Sequence, residues 1–364
     1  MSEKLQPNQL TEVLEPPEGA DTLHPKPGNL FENNPVERKH LRSLEGKSIL
    51  SVKDLSREVV IELCKLAAIL EKFEIAPYRV LDGKIVTTAF FEASTRTRLS
   101  FESSVQRLGG CILSIPEGGV TGVKKGESLE DIGEMFNAYC DMVILRHTDT
   151  DCLERIQKYL RVPLINAGNG SGEHPTQALA DWYALLKWRP SLAGTEPTKK
   201  KDKLKLGILG TPGSMRAVKS FLLMSLLFRS KIRKVTVVSE YADPFGADVI
   251  EDLENAGIEY SVTNDIQDTL PTLDVIYMNS IAFLGDSYKS LDSRYKLDNE
   301  SELKQDAVIL HPLARLDELS TTLDETKHNL YFSQAHGAVF VRQALLSSIF
   351  GRLDHLPDEI PTVS

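Results

Sequence analysis

The run Lys84-Ile85-Val86-Thr87-Thr88-Ala89-Phe90-Phe91 leads straight into Glu92-Ala93-Ser94-Thr95-Arg96-Thr97-Arg98. That in turn leads into Leu99-Ser100-Phe101-Glu102-Ser103-Ser104-Val105-Gln106-Arg107-Leu108-Gly109-Gly110. The first run is apolar and β-rich, which predicts a strand over 85–91. The third has helical periodicity and is stopped by paired glycines, which predicts a helix over 95–108. Ser94, Thr95 and Thr97 therefore stand at a helix N-terminus with Arg96 among them. Such an end offers unpaired N–H groups and the positive pole of the helix dipole. A lone Ser-Thr there is an ordinary N-cap. Three hydroxyls and a guanidinium within four residues read instead as a phosphate cradle.

Outward from this unit the same alternation repeats. A helix near 56–72 precedes it. Strand 111–115, helix 127–139, strand 141–145, helix 151–160, strand 162–166 and helix 175–188 follow. Short strands interleaved with amphipathic helices predict an α/β fold with parallel sheets covered on both faces. Trp188-Arg189-Pro190-Ser191-Leu192-Ala193-Gly194 closes this series, and Lys199-Lys200-Lys201-Asp202-Lys203 reads as a solvated loop. A second series begins at Leu204 and continues through strands near 234–239, 274–278 and 307–310. A last helix, about 338–350, is expected to be apolar on one face. Residues 1–33 are polar and proline-punctuated and read as an extension without a fold of its own.

The chain has 364 residues and a formal charge of −10, a length that suggests two domains. The acidic balance argues against general nucleic-acid binding but not against an anionic substrate, since local Arg and Lys override net charge. Cys64, Cys111, Cys140 and Cys152 form no CxxC, so buried free thiols in a reducing compartment are expected. No apolar run is long enough for a membrane span, and the N-terminus lacks a secretory core. These features predict a cytoplasmic protein. The eight histidines show no metal-ligand spacing, so no metal and no cofactor are expected. Gly207, Gly210 and Gly213 do not make the GxGxxG fingerprint, which disfavours a dinucleotide oxidoreductase.

Ligands in such folds bind beyond strand C-termini, and several chemistry-bearing residues stand there. Arg146 follows the strand ending at Leu145. His174 and Gln177 share one face of a first helical turn that Pro175 opens. Arg315 closes the segment Leu310-His311-Pro312-Leu313-Ala314-Arg315, which follows strand 307–310.

Phe91-Glu92-x-Ser94-Thr95-Arg96-Thr97, extended through Leu99-Ser100-Phe101-Glu102, resembles the carbamoyl-phosphate signature of the aspartate/ornithine carbamoyltransferases, on the aspartate side. Similar segments recur from about Asn34 to the C-terminus. The resemblance implies a carbamoyl-phosphate-binding domain (34–188), an acceptor domain (189–335) and a C-terminal helix (336–364) packed back on the first domain. It implies two doubly wound domains in a homotrimer with shared sites.

It also implies roles. Ser94, Thr95, Arg96 and Thr97 hold the phosphate. Arg146 reaches the phosphate and the carbonyl oxygen, His174 donates to that oxygen, and Gln177 accepts from the carbamoyl NH2. Carbonyls of Pro312 and Leu313 accept from the same NH2, in a turn where Ala314 replaces the proline of a related pattern and is expected to loosen it. Thr121 and Lys125 reach in from the neighbouring subunit. Arg216 meets the acceptor's α-carboxylate.

One segment departs from the aspartate branch. An arginine and a glutamine are expected after the strand at 274–278, but Ser280 and Ala282 occupy those positions, followed by Phe283 and Leu284. A serine cannot replace a bidentate arginine–carboxylate contact. The ornithine-branch motifs are absent as well. Aspartate is the nominal acceptor by resemblance. An amine without the β-carboxylate is the first alternative, and a catalytically idle carbamoyl-phosphate-binding paralogue the second.

Overall fold

The structure is a computed structural model and describes residues 25–32, 34–73, 79–116, 126–239, 243–279 and 295–356. The chain enters through a short helix, α1 (Arg38–Arg42), and a long one, α2 (Arg57–Phe73). Then come β1 (Ile85–Phe90), α3 (Thr95–Arg107), β2 (Cys111–Ile115), α4 (Leu129–Tyr139), β3 (Met142–His147), α5 (Cys152–Gln157), β4 (Leu164–Asn169) and α6 (Pro175–Trp188). These strands form one parallel sheet in the order β2-β1-β3-β4.

The second series is β5 (Leu204–Leu209), α7 (Arg216–Leu227), β6 (Ile232–Val238), α8 (Ala247–Ala256), β7 (Glu259–Thr263), β8 (Val275–Met278) and β9 (Val308–Leu310). It forms a parallel sheet in the order β7-β6-β5-β8-β9. Finally α9 (Tyr331–Ile349) turns back and packs on α2, α3 and α6 of the first half. This is the α/β, doubly wound pair with a returning C-terminal helix that the sequence predicts.

Each sheet reverses its strand order once, between β1 and β3 in the first and between β5 and β8 in the second. A reversal sends neighbouring connections to opposite faces and leaves a crevice beyond the strand ends. The end of β3 and the segments leaving β1, β4, β5 and β9 carry the candidate site, so the topology brings these five segments towards one place.

The wall between the halves is α6, buried from Pro175 to Lys187 except at the half-buried Gln177, and packed against α7, α9 and α2. Trp182 of α6 is fully buried and stacks on Phe228 at 3.9 Å, while Phe221 of α7 stacks on Tyr277 of β8 at 4.2 Å. Burial of one such ring contributes roughly 2–3 kcal/mol.

Some expectations need correcting. Arg146 is not beyond its strand but within it, the penultimate residue of β3. The last helix starts at Tyr331, well before 338, so a boundary at 335/336 falls inside it. It is also buried on nearly all sides rather than on one. Its serines hide this from a hydropathy pattern. Ser347 and Ser348 are fully buried because their hydroxyls donate to Gln343 O and Ala344 O, both at 2.8 Å, which satisfies each hydroxyl inside the helix. Cys111 is exposed, because it opens the edge strand β2; Cys64 and Cys152 are buried, and all four thiols are free.

Candidate active site

The site is a cleft of about 1000 Å³ between the C-terminal ends of the two sheets. Ser94, Thr95, Arg96 and Thr97 line it from the start of α3. Ser94 is the N-cap residue, with extended backbone, yet its hydroxyl makes no capping hydrogen bond. At α4, by contrast, Ser128 accepts from the Asp131 N–H at 3.1 Å. The cap of α4 is closed on itself, whereas that of α3 leaves its hydroxyl and first amides to the cleft. Arg96 is exposed, and among the described residues its guanidinium makes no hydrogen bond or ion pair.

Facing this end is a charge triad. Glu92, just after β1, accepts from Arg146 Nη2 at 2.7 Å and from Arg216 Nη2 and Nη1 at 2.5 and 2.8 Å. Arg216 opens α7 in the second half and donates also to the Gly170 carbonyl at 2.9 Å. One carboxylate thus holds an arginine from each half. Burial raises the Glu92 pKa, but the hydrogen bonds and charges of Arg216 and Arg146 outweigh it and hold Glu92 below the usual carboxylate range. Gly168, at φ +119°, lets Arg216 lie across β4, since a Cβ there would stand 3.1 Å from Arg216 Nε. The Arg146 Nε–H is buried and has no hydrogen-bond partner.

His174 and Gln177 line the same cleft from the first turn of α6. His174 is buried, with Nε2 at 3.3 Å from the Thr97 hydroxyl. Desolvation, then the charges of Arg146, Arg342 and Arg216, push its pKa well below the ordinary histidine value. The ring is therefore neutral near pH 7 and can donate one N–H without carrying charge. Its backbone N–H donates to Ser220 of α7 at 2.7 Å, which ties this helix start to the second half.

Pro312 and Leu313 complete the cleft after β9. Their turn is pinned through one ring. Leu313 N–H donates to His311 Nδ1 at 2.8 Å, so Nε2 carries the proton and donates to Glu318 Oε1 at 2.9 Å. Leu313 has φ +54°, and the Leu313–Ala314 peptide is cis. The ring and Glu318 hold the turn from beneath.

The cleft thus gathers Ser94, Thr95, Arg96, Thr97, Arg146, His174, Gln177, Arg216, Pro312 and Leu313. Thr121, Lys125, Ser280 and Ala282 lie outside the described residues. Sequence reasoning left Glu92, Asp181, Gln334 and Arg342 without roles. Glu92 was readable inside the signature. Asp181 gave a fainter signal, as an acid one turn after Gln177 in an otherwise apolar helix. Arg342 is buried in α9 with its pKa lowered to about 9 by desolvation, which Asp181 partly opposes. Its guanidinium lies over the Phe101 ring at 4.5 Å and donates to the Ser100 hydroxyl. Among the described residues no group of three or more His, Cys, Asp or Glu could hold a metal ion. No helix among them is long and apolar enough to cross a membrane.

Two doubly wound domains thus share one cleft, with an open helix cap on one wall and an arginine on the other, the arrangement of an enzyme site between two α/β domains. The chain belongs to the aspartate/ornithine carbamoyltransferase family: the model of its carbamoyl-P binding domain matches residues 47–187, and that of its Asp/Orn binding domain matches residues 202–349. The aspartate carbamoyltransferase catalytic subunit of Methanopyrus kandleri is 34% identical over 319 residues, covering 85% of this chain and 99% of that protein. The Vibrio campbellii subunit is 36% identical over 314 residues, covering 84% and 97%. Aspartate transcarbamoylase from Trypanosoma cruzi, solved with carbamoyl phosphate and aspartate, is 30% identical with a TM-score of 0.75, covering 86% of this chain and 99% of that one. Its complex with N-(phosphonacetyl)-L-aspartic acid gives 0.76 at the same identity and coverage. The chain is a carbamoyltransferase.

Proposed function

We propose that this protein transfers the carbamoyl group of carbamoyl phosphate to the amine of an amino acid, with L-aspartate the nominal acceptor, giving N-carbamoyl-L-aspartate and phosphate as a step of pyrimidine biosynthesis. The observation that carries the reading is the opposition of two features across one cleft: the open cap at Ser94–Thr97 and the Glu92-held Arg216.

The phosphate is held by Ser94, Thr95, Arg96 and Thr97 at the positive end of α3. Arg146 meets phosphate and carbonyl oxygen, and neutral His174 donates to that oxygen as negative charge develops on it. Gln177 and the carbonyls of Pro312 and Leu313 accept from the carbamoyl NH2. Arg216 grips the acceptor's α-carboxylate and places its amine over the carbonyl carbon. The neutral amine attacks, the tetrahedral intermediate forms, the C–O bond to phosphate breaks, and the proton that the nitrogen sheds leaves on the phosphate. Positioning and electrostatics carry the reaction. Phosphate release from carbamoyl phosphate with aspartate, and N-carbamoyl-aspartate detected by mass, test this. No turnover, with the phosphate site intact by binding, would favour the idle paralogue.

The sequence at Ser280 and Ala282 favours a second reading of the acceptor alone, an amino acid with a neutral side chain. A panel of amino acids in the same assay decides between them.

The chain is proposed to work as two domains that meet after residue 188, with α9 returning to the first, in a cytoplasmic homotrimer in which Thr121 and Lys125 complete a neighbour's site. The edge strand β2 supports assembly. Leu113 on it is 44% exposed, and Leu99 on the adjoining α3 is 51% exposed, an apolar edge that favours cover by another chain. Mixing a Lys125→Ala chain with an Arg96→Ala chain is expected to restore activity, because mixed trimers contain sites with both residues intact. No recovery after verified subunit exchange counts against shared sites.

A further inference from the structure

Beneath the cleft, two glutamines converge on one oxygen atom. Gln177 Nε2 donates to Asp181 Oδ1 at 2.8 Å, and Gln334 Nε2 donates to the same oxygen at 2.6 Å. Asp181 lies in α6 and is completely buried; Gln334, at the start of α9, is buried too. Gln334 spends its other end on the second half of the molecule, where its Oε1 accepts from the His311 backbone N–H at 2.9 Å. His311 in turn holds the Leu313 N–H. The other Asp181 oxygen, Oδ2, and the Tyr277 hydroxyl of β8 are both buried and neither makes a hydrogen bond of ordinary geometry.

An amide side chain can be turned either way, with opposite chemical meaning. With its NH2 in the cleft, Gln177 would meet a carbamoyl NH2 donor to donor. With its carbonyl there, it accepts. An acceptor oxygen fixed behind the amide decides between the two. We propose that Asp181 is a positioning residue that sets the polarity of the carbamoyl NH2 pocket. It draws the NH2 of Gln177 inward so that Oε1 faces the substrate. Through Gln334 and His311 it also orients the Pro312 and Leu313 carbonyls on the opposite wall. One buried oxygen thus aligns acceptors from both halves on a single substrate group. Because both donors point at Oδ1, a proton taken up by Asp181 goes to Oδ2 and leaves the shared acceptor in place.

This inference rests on the carbamoyl-phosphate reading and deepens it. The test compares phosphonoacetamide with acetonylphosphonate by calorimetry; they differ only in NH2 against CH3. The protein as it stands is expected to prefer the amide by about 10-fold or more, since a hydrogen-bonding pocket rejects the analogue that leaves it unpaired. Asp181→Leu, of similar shape but with no acceptor, is expected to bring the ratio close to one while acetonylphosphonate affinity stays within about 3-fold. Asp181→Asn keeps an Oδ1 and is expected to keep the ratio. An unchanged ratio in Asp181→Leu overturns the proposal, as does a parallel loss for both probes, which marks a general structural defect. If Asp181→Leu does not fold, Gln334→Leu decides: its amide is occupied by Asp181 and the His311 backbone, so a lowered ratio supports the relay and an unchanged one overturns it. Failure of the unmodified protein to bind either probe refutes the carbamoyl-phosphate reading itself. Binding of both without preference refutes only the relay.

Discussion

The two walls of the cleft are held by different means. On the first-domain wall, the groups sit at the ends of their own elements, Ser94–Thr97 at the start of α3, Arg146 at the end of β3, His174 and Gln177 at the start of α6, with Glu92, Ser220 and Asp181 as secondary holds. On the opposite wall, groups are placed by partners distant in sequence. Arg216 lies where Glu92 holds it, and Pro312 and Leu313 lie where His311, Glu318 and Gln334 fix the turn. A wall built from element ends is local and stiff. A wall built from a side-chain network depends on every member. Damage to the first should be severe and confined, and damage to the second smaller and shared.

The sharpest test is Arg96→Ala. The exposed guanidinium packs against nothing that the fold needs, so melting should be unchanged. Loss of a charge-assisted phosphate contact costs about 2–5 kcal/mol, so carbamoyl-phosphate affinity should fall roughly 30-fold to several thousand-fold. Equal affinity by calorimetry would remove the phosphate cradle from the account.

Next in size is Asp181, which underlies both walls. Desolvation pushes its carboxyl up to about 7, against the opposing effects of Gln177, Tyr277, Gln334 and Arg342. A carboxyl that ionises later when folded than when unfolded lowers stability as pH rises from about 4 to about 7, and its penalty is constant above that. A displacement of this size corresponds to at most about 4 kcal/mol. Asp181→Asn should therefore melt higher than the parent protein at pH 8, with the difference shrinking towards pH 4. An equal difference at both ends of that range would show that Asp181 is not held protonated.

A smaller effect is expected at the link between the walls. Glu92→Gln removes the charge that both arginines share, at about 1.5–3 kcal/mol for hydrogen bonds to charged groups. The kcat/KM for the acceptor should drop about 10- to 100-fold, with carbamoyl-phosphate affinity changed less. A larger loss for carbamoyl phosphate than for the acceptor would reverse the contrast drawn between the walls.

The smallest expected change is a gain. Ser280→Arg with Ala282→Gln should raise aspartate kcat/KM by about 10-fold or more if the missing contacts are worth about 1.4 kcal/mol. No gain, together with efficient turnover of aspartate by the unmodified protein, would mean that another group already meets the β-carboxylate.

The same contrast explains what could be read from the sequence. The strand–cradle–helix unit at 84–110 was legible almost to the residue because strand, cap and helix are consecutive. The start of α6 was legible for the same reason, through Pro175. Glu92 was quoted in the signature but had no visible role, since its partner Arg216 is 124 positions away. Asp181 looked like one polar residue in a buried helix until Gln334, distant by 153 positions, came to share its oxygen with Gln177. Strand β7, half exposed at the far edge of its sheet, went unplaced because its hydropathy is weak.

The return of α9 also bears on how the chain is made. Its residues fill the first domain against α2, α3 and α6, Val339 O accepts from Ser104, and Ile349 O accepts from Gly46 N–H at 2.8 Å. A chain emerging from the ribosome N-terminus first cannot form these contacts until nearly all of it has been synthesised. The domain encoded first is the one finished last, and its apolar helix faces stay uncovered while the second sheet assembles. The buried Arg342 reaches Ser100 on α3 only at that final docking, so the α3 end of the cleft takes its completed form only as translation ends.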